Sequence, residues 1–263
     1  MNTSQKTLES VLETLSPITL GEMDSIRLMN RIDTKYLTTA SVLVRLLEDA
    51  AARGYRALET DGTRLCPYDT LYYDTPELQM FLDHHNRRLV RQKVRTRTYV
   101  GSGQTFLEIK RKDNHGRTKK KRTGISPAAF RDFHVEPSAL ALLEAYSAIP
   151  AGAMTPALET VFRRITLVNA ARTERLTIDT GLSFRNARNG REVSLQDAVI
   201  IELKQDGRAA SEMKEILLHH RVKPLRVSKY CIGTTLTDDI VKSNRFKLKI
   251  RQIEKVINKR IQL

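Results

Sequence analysis

The chain has 263 residues, with 45 lysines and arginines against 30 aspartates and glutamates, a formal charge of +15 and a pI near 10. That length can bury one large core or two small ones, and one is expected; the charge calls for a polyanionic partner, whether nucleic acid, an anionic membrane surface or phosphate chains. Two distant cysteines, Cys66 and Cys231, without metal-ligand spacing argue against a disulfide scaffold and for a reduced cytosolic setting, and no run of about eighteen apolar residues reads as a spanning helix.

In chain order, the residues up to about 15 read as a short helix and show neither the basic start nor the apolar core of a signal peptide. A strand is expected over 26–37, with Arg31, Asp33 and Lys35 on one face. A helix over 41–53 follows, with Val42, Leu43, Leu46 and Leu47 as its apolar stripe. Residues 68–73 read as a strand, and Thr75 and Pro76 as the cap and first position of a short helix to 84. His84 and His85 have no carboxylate at ligand spacing and read as a surface or capping pair; Tyr72 and Tyr73 read as core and turn residues. Over 89–100, the stretch RQKVRTRTYV puts Arg91, Lys93, Arg95 and Arg97 on one face and Gln92, Val94, Thr96, Thr98 and Val100 on the other.

A strand over 105–110 carries Glu108 and Lys110 beside Phe106, and DNHGRTKKKRTG, residues 113–124, reads as a mobile basic loop. A helix is expected over 137–148, then strands over 158–168 and 175–179. The second sets Arg175, Thr177 and Asp179 against Leu176 and Ile178. Asn189-Gly190 marks a turn, and the strand over 199–204 sets Glu202 and Lys204 against Val199, Ile201 and Leu203. A helix over 209–220, a strand over 224–227 and a basic helix from about 244 complete the chain. Residues 1–25 thus form a helical segment, 26–240 the main domain and 241–263 a basic helix. After Ile240, eight cations face only Glu254, which accounts for about half the charge excess. That helix could dock on the domain, plug it, or meet an anionic membrane.

At least five strands therefore have one charged and one apolar face. If the helices cover the apolar rows, the charged rows point inward, giving an α+β fold: a closed antiparallel eight-stranded β-barrel with a hydrated, mostly cationic lumen, covered by helices. Burying so many like charges is prohibitive unless water, acids or a polyanion compensates them. Carboxylates among such cations suit Mg²⁺ or Mn²⁺: Glu202 first, then Glu108, Asp33 and Asp179, for which salt bridges to neighbouring lysines are the alternative. With no tryptophan, and basic faces flanked by Thr and Val, nucleic acid is not expected as the partner.

The segments RIDTKYL, YYDTPEL, HHNRRLVRQKVRTRTY, FLEIKRK, RLTIDTGL, IIELK and RVSKY resemble in order, from Arg31 to Tyr230, the VTC domain. This is the polyphosphate polymerase domain of the vacuolar transporter chaperone complex, one of the CYTH-like triphosphate tunnel metalloenzymes. The resemblance implies a tunnel that binds a nucleoside triphosphate with a divalent metal, Mn²⁺ or Mg²⁺, and transfers the γ-phosphate to a growing polyphosphate chain. By motif it implies Lys35, Arg95, Arg97, Lys110, Arg175 and Lys229 as phosphate contacts and Glu202 as metal ligand; Arg95, Arg97, Lys110, Arg164 and Arg175 are taken as the catalytic cations, and the charged strand faces add Arg31, Arg91, Lys93 and Lys204 to Lys35 and Lys229 as phosphate-binding residues. In Phe162-Arg163-Arg164 it favours Arg164, a choice that strand parity alone leaves open. Where the wider group has Glu-x-Glu-x-Lys, this chain has Arg31, Asp33 and Lys35, which suits a long anion better than rapid hydrolysis. With only about 25 residues before the first motif, the inositol-phosphate-sensing domain of fungal relatives is not expected. A tripolyphosphatase or nucleoside triphosphatase, and a non-catalytic polyphosphate binder, stay open as alternatives. A cytoplasmic location is expected, with peripheral membrane contact and a membrane-protein partner left open.

Overall fold

The computed structural model describes residues 7–24, 26, 28, 31–207 and 210–261. Its elements run α1 (Leu8–Thr14), β1 (Ser16–Ile18), α2 (Leu20–Asp24), β2 (Arg31–Thr39), α3 (Ala40–Ala52), β3 (Arg56–Leu58), β4 (Cys66–Asp74), α4 (Gln79–His85), β5 (Arg91–Tyr99), β6 (Gln104–Lys112) and β7 (Thr118–Ile125). After two 3₁₀ turns come α5 (Pro137–Tyr146), a third such turn, β8 (Thr155–Val168), β9 (Glu174–Asn186), β10 (Glu192–Leu195), β11 (Ala198–Asp206), α6 (Glu212–His219), α7 (Lys229–Thr237) and α8 (Asn244–Ile257). Helix starts follow their capping chemistry. The hydroxyls of Thr39, Ser211 and Ser228 accept from the backbone N–H of Val42, Lys214 and Cys231, satisfying donors that have no partner inside the helix.

Eight strands form one antiparallel path in the order β2-β11-β9-β8-β4-β5-β6-β7, with β10 beside β9 and the short parallel pair β1–β3 joined to β8. The sheet curls strongly. Lys110 on β6 lies within electrostatic reach of Glu202 on β11 and Lys35 on β2. Five strand steps separate β6 from β11, which on a flat sheet would be about 24 Å.

The convex face is apolar and covered. Leu176, Ile178, Val199, Ile201 and Leu203 pack under α3 and α6, while Leu71, Tyr73, Val94, Leu107 and Ile109 pack under α5 and the turns around Phe133. The concave face is charged along the middle of the strands and apolar at one end, where Leu37, Leu158, Phe184 and Ile200 meet Tyr230, Ile232, Phe246 and Ile250 of α7 and α8. Helix α7 is buried from Tyr230 to Thr237 and lies so close to the sheet that a Cβ at Gly233 would sit 2.5 Å from Phe184 and 2.6 Å from Leu158. The C-terminal helix α8 docks on this same apolar end through Phe246, Ile250 and Ile253.

Several expectations are corrected. The barrel is not closed: β2 and β7, the ends of the path, do not pair. The cause is legible in β7, where residues 118–122 are exposed on both faces and run Thr-Lys-Lys-Lys-Arg, a like-charged edge with no apolar row to dock on the equally exposed start of β2. The same segment is a strand, not the mobile loop expected over 113–124; only its first residues turn. Residues 224–227 make a single bridge, Pro224 to Tyr36, and no strand. Helix α4 starts at Gln79 rather than Pro76, because residues 75–78 form a turn in which Leu78 takes φ +58°. Of the two readings for the histidine pair, capping holds for His85 and the surface does not: His85 is buried, its Nε2 lies 2.7 Å from Asn244 Oδ1 and 3.4 Å from the Arg245 backbone N–H at the start of α8, while His84 is half-buried. The expected strand start at 26–30 and helix start at 209 fall partly or wholly outside the described residues. No helix among the described residues is long and apolar enough to cross a membrane.

Candidate active site

Because side chains alternate along a strand, the residues that share a face with Arg95 on β5 meet their counterparts on every neighbouring strand across the concave surface. Arg95 Nε donates to Glu108 on β6 at 2.7 Å, and its Nη1 donates to the Tyr72 hydroxyl on β4 at 3.2 Å. Glu108 also accepts from Lys120 on β7 and lies 4.0 Å from Arg97 Nη1. Arg97 Nε donates to Thr70 Oγ1 at 3.1 Å.

On the facing wall, Arg164 of β8 makes two bonds to Asp179 of β9, at 2.6 and 2.9 Å, and Asp179 also accepts from Lys229 at the start of α7. Glu202 of β11 accepts from Lys35 Nζ at 2.5 Å and Lys204 Nζ at 3.1 Å. Lys93 Nζ donates to Ser228 Oγ at 2.7 Å, so β5 also reaches the start of α7. Beneath the cations lie aromatic faces: the Arg164 guanidinium is 5.0 Å from the Tyr68 ring centre, and the Lys229 ammonium 4.4 Å from that of Phe162.

Protonation follows from this crowding. Burial pushes the carboxyls of Glu108, Asp179 and Glu202 up, but their paired cations outweigh it and hold all three well below the usual carboxylate range. The cations are strained in turn. Burial and neighbouring Arg95 lower Arg97 to about 10, and burial, partly offset by Asp179, brings Lys229 down to about 8. Lys110 is lowered by burial and by Lys35, Lys93 and Arg95, against the opposing pull of Glu202. Burial raises the Tyr72 phenol, yet Arg95, Arg97, Lys229 and Lys93 together bring it down to about 8.

The residues singled out in the sequence separate into two groups. Lys35, Lys93, Arg95, Arg97, Glu108, Lys110, Arg164, Asp179, Glu202, Lys204 and Lys229 converge on the concave face. In the ambiguous pair, Arg164 points inward to Asp179 while Arg163 is exposed. Arg31 and Asp33 pair with each other at 2.6 Å on the exposed start of β2, and Arg91 Nη1 donates to the Arg88 carbonyl at 2.6 Å. Arg175 stands opposite Lys204 in register.

Lys120 and Tyr72 were missed. Lys120 sits in an unbroken charge run that shows no alternation, and Tyr72 in a tyrosine pair that reads as core, where only its parity with Thr70 and Asp74 marks the inward face.

The three buried carboxylates stand apart from one another. Each is held between its own cations, and among the described residues no trio of metal-ligating side chains forms on the concave face. Glu202 is the accessible one, its side chain 21% exposed against 2% for Glu108 and 4% for Asp179. A single carboxylate fits a hard divalent ion that takes its other ligands from water and substrate phosphates.

A family model described as the VTC domain matches residues 30–238. No curated protein matches the chain. Among solved structures, the chain is similar to a proposed adenylyl cyclase from Hippeastrum described as having a dominant triphosphatase activity, at 16% identity and TM-score 0.48, over 78% of this chain and 95% of that one. It is also similar to proposed adenylate cyclases from Bacillus halodurans (13% identity, TM-score 0.48, 76% and 96% covered) and Vibrio parahaemolyticus (10% identity, TM-score 0.44, 77% and 97% covered).

Proposed function

The chain belongs to the VTC domain family, and from that premise we propose that it is a polyphosphate polymerase, moving the γ-phosphate of a nucleoside triphosphate onto a growing polyphosphate chain held in the cationic trough. The observation that carries this reading is the convergence of Lys35, Lys93, Arg95, Arg97, Lys110, Arg164, Lys204 and Lys229 on one concave surface, with far too few carboxylates to neutralise them. A bound polyanion would relieve the repulsion that these carboxylates leave uncompensated.

Phosphoryl transfer needs alignment and charge neutralisation more than a covalent nucleophile. The acceptor is itself a phosphate oxygen, ionised at neutral pH, so no general base is required. Arg95 and Arg97 on one wall and Arg164 and Lys229 on the other would bring two anions together and stabilise the charge on the transferring group. Glu108 and Asp179 act as counter-ions that hold these cations in place. Glu202 would hold the divalent ion, Mg²⁺ or Mn²⁺, which would supply neutralisation of the charge developing on the phosphates. Arg175 beside Lys204, and Arg31 and Arg91 at more exposed positions, would guide the chain without touching the reacting group.

The test is incubation with ATP and Mn²⁺ or Mg²⁺, resolving products by length, with Glu202→Ala as control. Long chains, lost in the control, support the polymerase. Orthophosphate alone makes the protein a triphosphatase, and binding without turnover leaves it a polyphosphate-binding module.

A further inference from the structure

A second cluster of metal-ligating side chains lies on the opposite side of the sheet, and nothing in the trough chemistry uses it. Asp49 on α3 and His219 and His220 at the end of α6 bring one ligand atom each to within 4.8 Å of one another. His220 Nε2 is already 2.8 Å from Asp49 Oδ2. We propose that these three residues form a binding site for a divalent transition ion of the Zn²⁺ class.

The geometry is set by the packing of two helices. α3 and α6 both lie on the apolar convex face and pack through its core, with an exposed ion pair between Arg53 Nη1 and Glu215 at 2.8 Å alongside. Asp49 and Arg53 are four residues apart on α3, as are Glu215 and His219 on α6, so ion pair and ligand cluster occupy adjacent turns of the same contact. Consecutive histidines on a continuing helix would point about 100° apart. Here the helix stops, with His220 capping α6 and Arg221 at φ +57°, and the two rings lie edge to face, 5.0 Å between centres.

Two imidazoles and a carboxylate are the donor set of an open-sided zinc site, with water in the fourth position, and borderline nitrogen ligands select against Mg²⁺ and Mn²⁺. Bonds of about 2.0 Å in a tetrahedron put ligand atoms about 3.3 Å apart. That separation lies between the 2.8 Å of the existing pair and the 4.8 Å limit of the trio, so a shift of about an ångström closes the shell. His219 lies in the last turn of α6, the end of a helix that favours positive charge. An ion here would cross-link α3 to α6 from outside, separated from the trough by the sheet.

Zn²⁺ titrated calorimetrically into the full chain in phosphate-free buffer, and Co²⁺ titrated with its visible absorption followed, test the site. The expected result is one tight equivalent, a nitrogen-ligated Co²⁺ spectrum and a melting temperature raised by Zn²⁺. Asp49→Asn and His219→Ala should each weaken binding at least tenfold, and Glu202→Gln should leave it unchanged. His219 is exposed, so its removal spares the fold. Absence of Zn²⁺ binding in the wild type, full affinity in His219→Ala, or loss of affinity in Glu202→Gln would each overturn the proposal.

Discussion

Raising the pH should expel an anion from the trough through two groups, Lys229 and Tyr72, each brought to about 8 in the empty site. The bound anion needs Lys229 charged and Tyr72 neutral, so both must keep their protons, and affinity falls by the factor 1 + 10^(pH−pKa) for each. At pH 9 that is about tenfold from either group alone. The two are coupled, since a Tyr72 phenolate beside Lys229 favours the ammonium, and the combined loss therefore lies between about ten- and a hundredfold. A bound polyanion raises both values, so binding near pH 8 to 9 takes up protons from buffer. Calorimetry of ATP binding without metal, in buffers of different ionisation heat from pH 7 to 9.5, reads both quantities. The nucleotide's own ionisation acts in the opposite direction. Tyr72→Phe should remove one of the two losses and leave that of Lys229. Affinity constant within twofold from pH 7 to 9 would refute the assigned environment of both residues.

Lys110→Met should cut turnover at least a hundredfold while the melting temperature holds or rises, because the lost ammonium sits among Lys35, Lys93 and Arg95; unchanged turnover would remove Lys110 from the site. Glu108→Gln should cost about 3–5 kcal/mol in denaturant unfolding, since it leaves Arg95 and Lys120 without their buried counter-ion. The wild-type share of that stability is present above the carboxyl's unfolded value near 4.3 and is lost as pH falls toward its depressed folded value, so melting temperature should drop in acid below about pH 4. Gly233→Ala should destabilise by about 1–3 kcal/mol through the clash with Phe184 and Leu158, read as a fall of several degrees in melting temperature. Affinity for linear phosphates, measured by competition, should climb from about three to about six units and then level off, with a salt dependence that steepens in parallel.

How much of this was legible depended on whether alternation survived locally. On β5, where RQKVRTRTY alternates without interruption, strand, inward face and cations were readable at once. On β9 the pattern stopped at Asp179 because a β-bulge at Gly181, with φ +61°, shifts the register; Leu182 and Phe184 then share the inward face with Asp179 despite their odd spacing. On β7 both faces are wet, so neither burial nor periodicity marked a strand; what orders it is its ladder to β6, with the Lys120–Glu108 pair and the stacking of Lys121 on Tyr146 and Arg122 on Phe106, none of which leaves a pattern in the local sequence. Helix α7 was unreadable for the opposite reason: buried on every side, KYCIGTTLT has no polar face and hence no helical period. Closure was a matter of edges, and edge pairing is not encoded in the alternation of any one strand.

The excess charge in the trough also bears on which anions it holds. Lys35, Lys93, Arg95, Arg97, Lys110, Lys120, Arg164, Lys204 and Lys229 give nine positive charges against three from Glu108, Asp179 and Glu202. A nucleoside triphosphate carries about four negative charges and a divalent ion returns about two of them, so one substrate leaves most of the excess unmet. A hydrolase has no further anion to bind, since its second substrate is water, and surplus cations would merely hold its product. A transferase must accommodate donor and acceptor phosphates at once, and their joint charge is closer to what this surface lacks. On the proposed transferase reading, the open edge between β2 and β7 would let a chain longer than the trough continue past it along the lysines and arginine of β7.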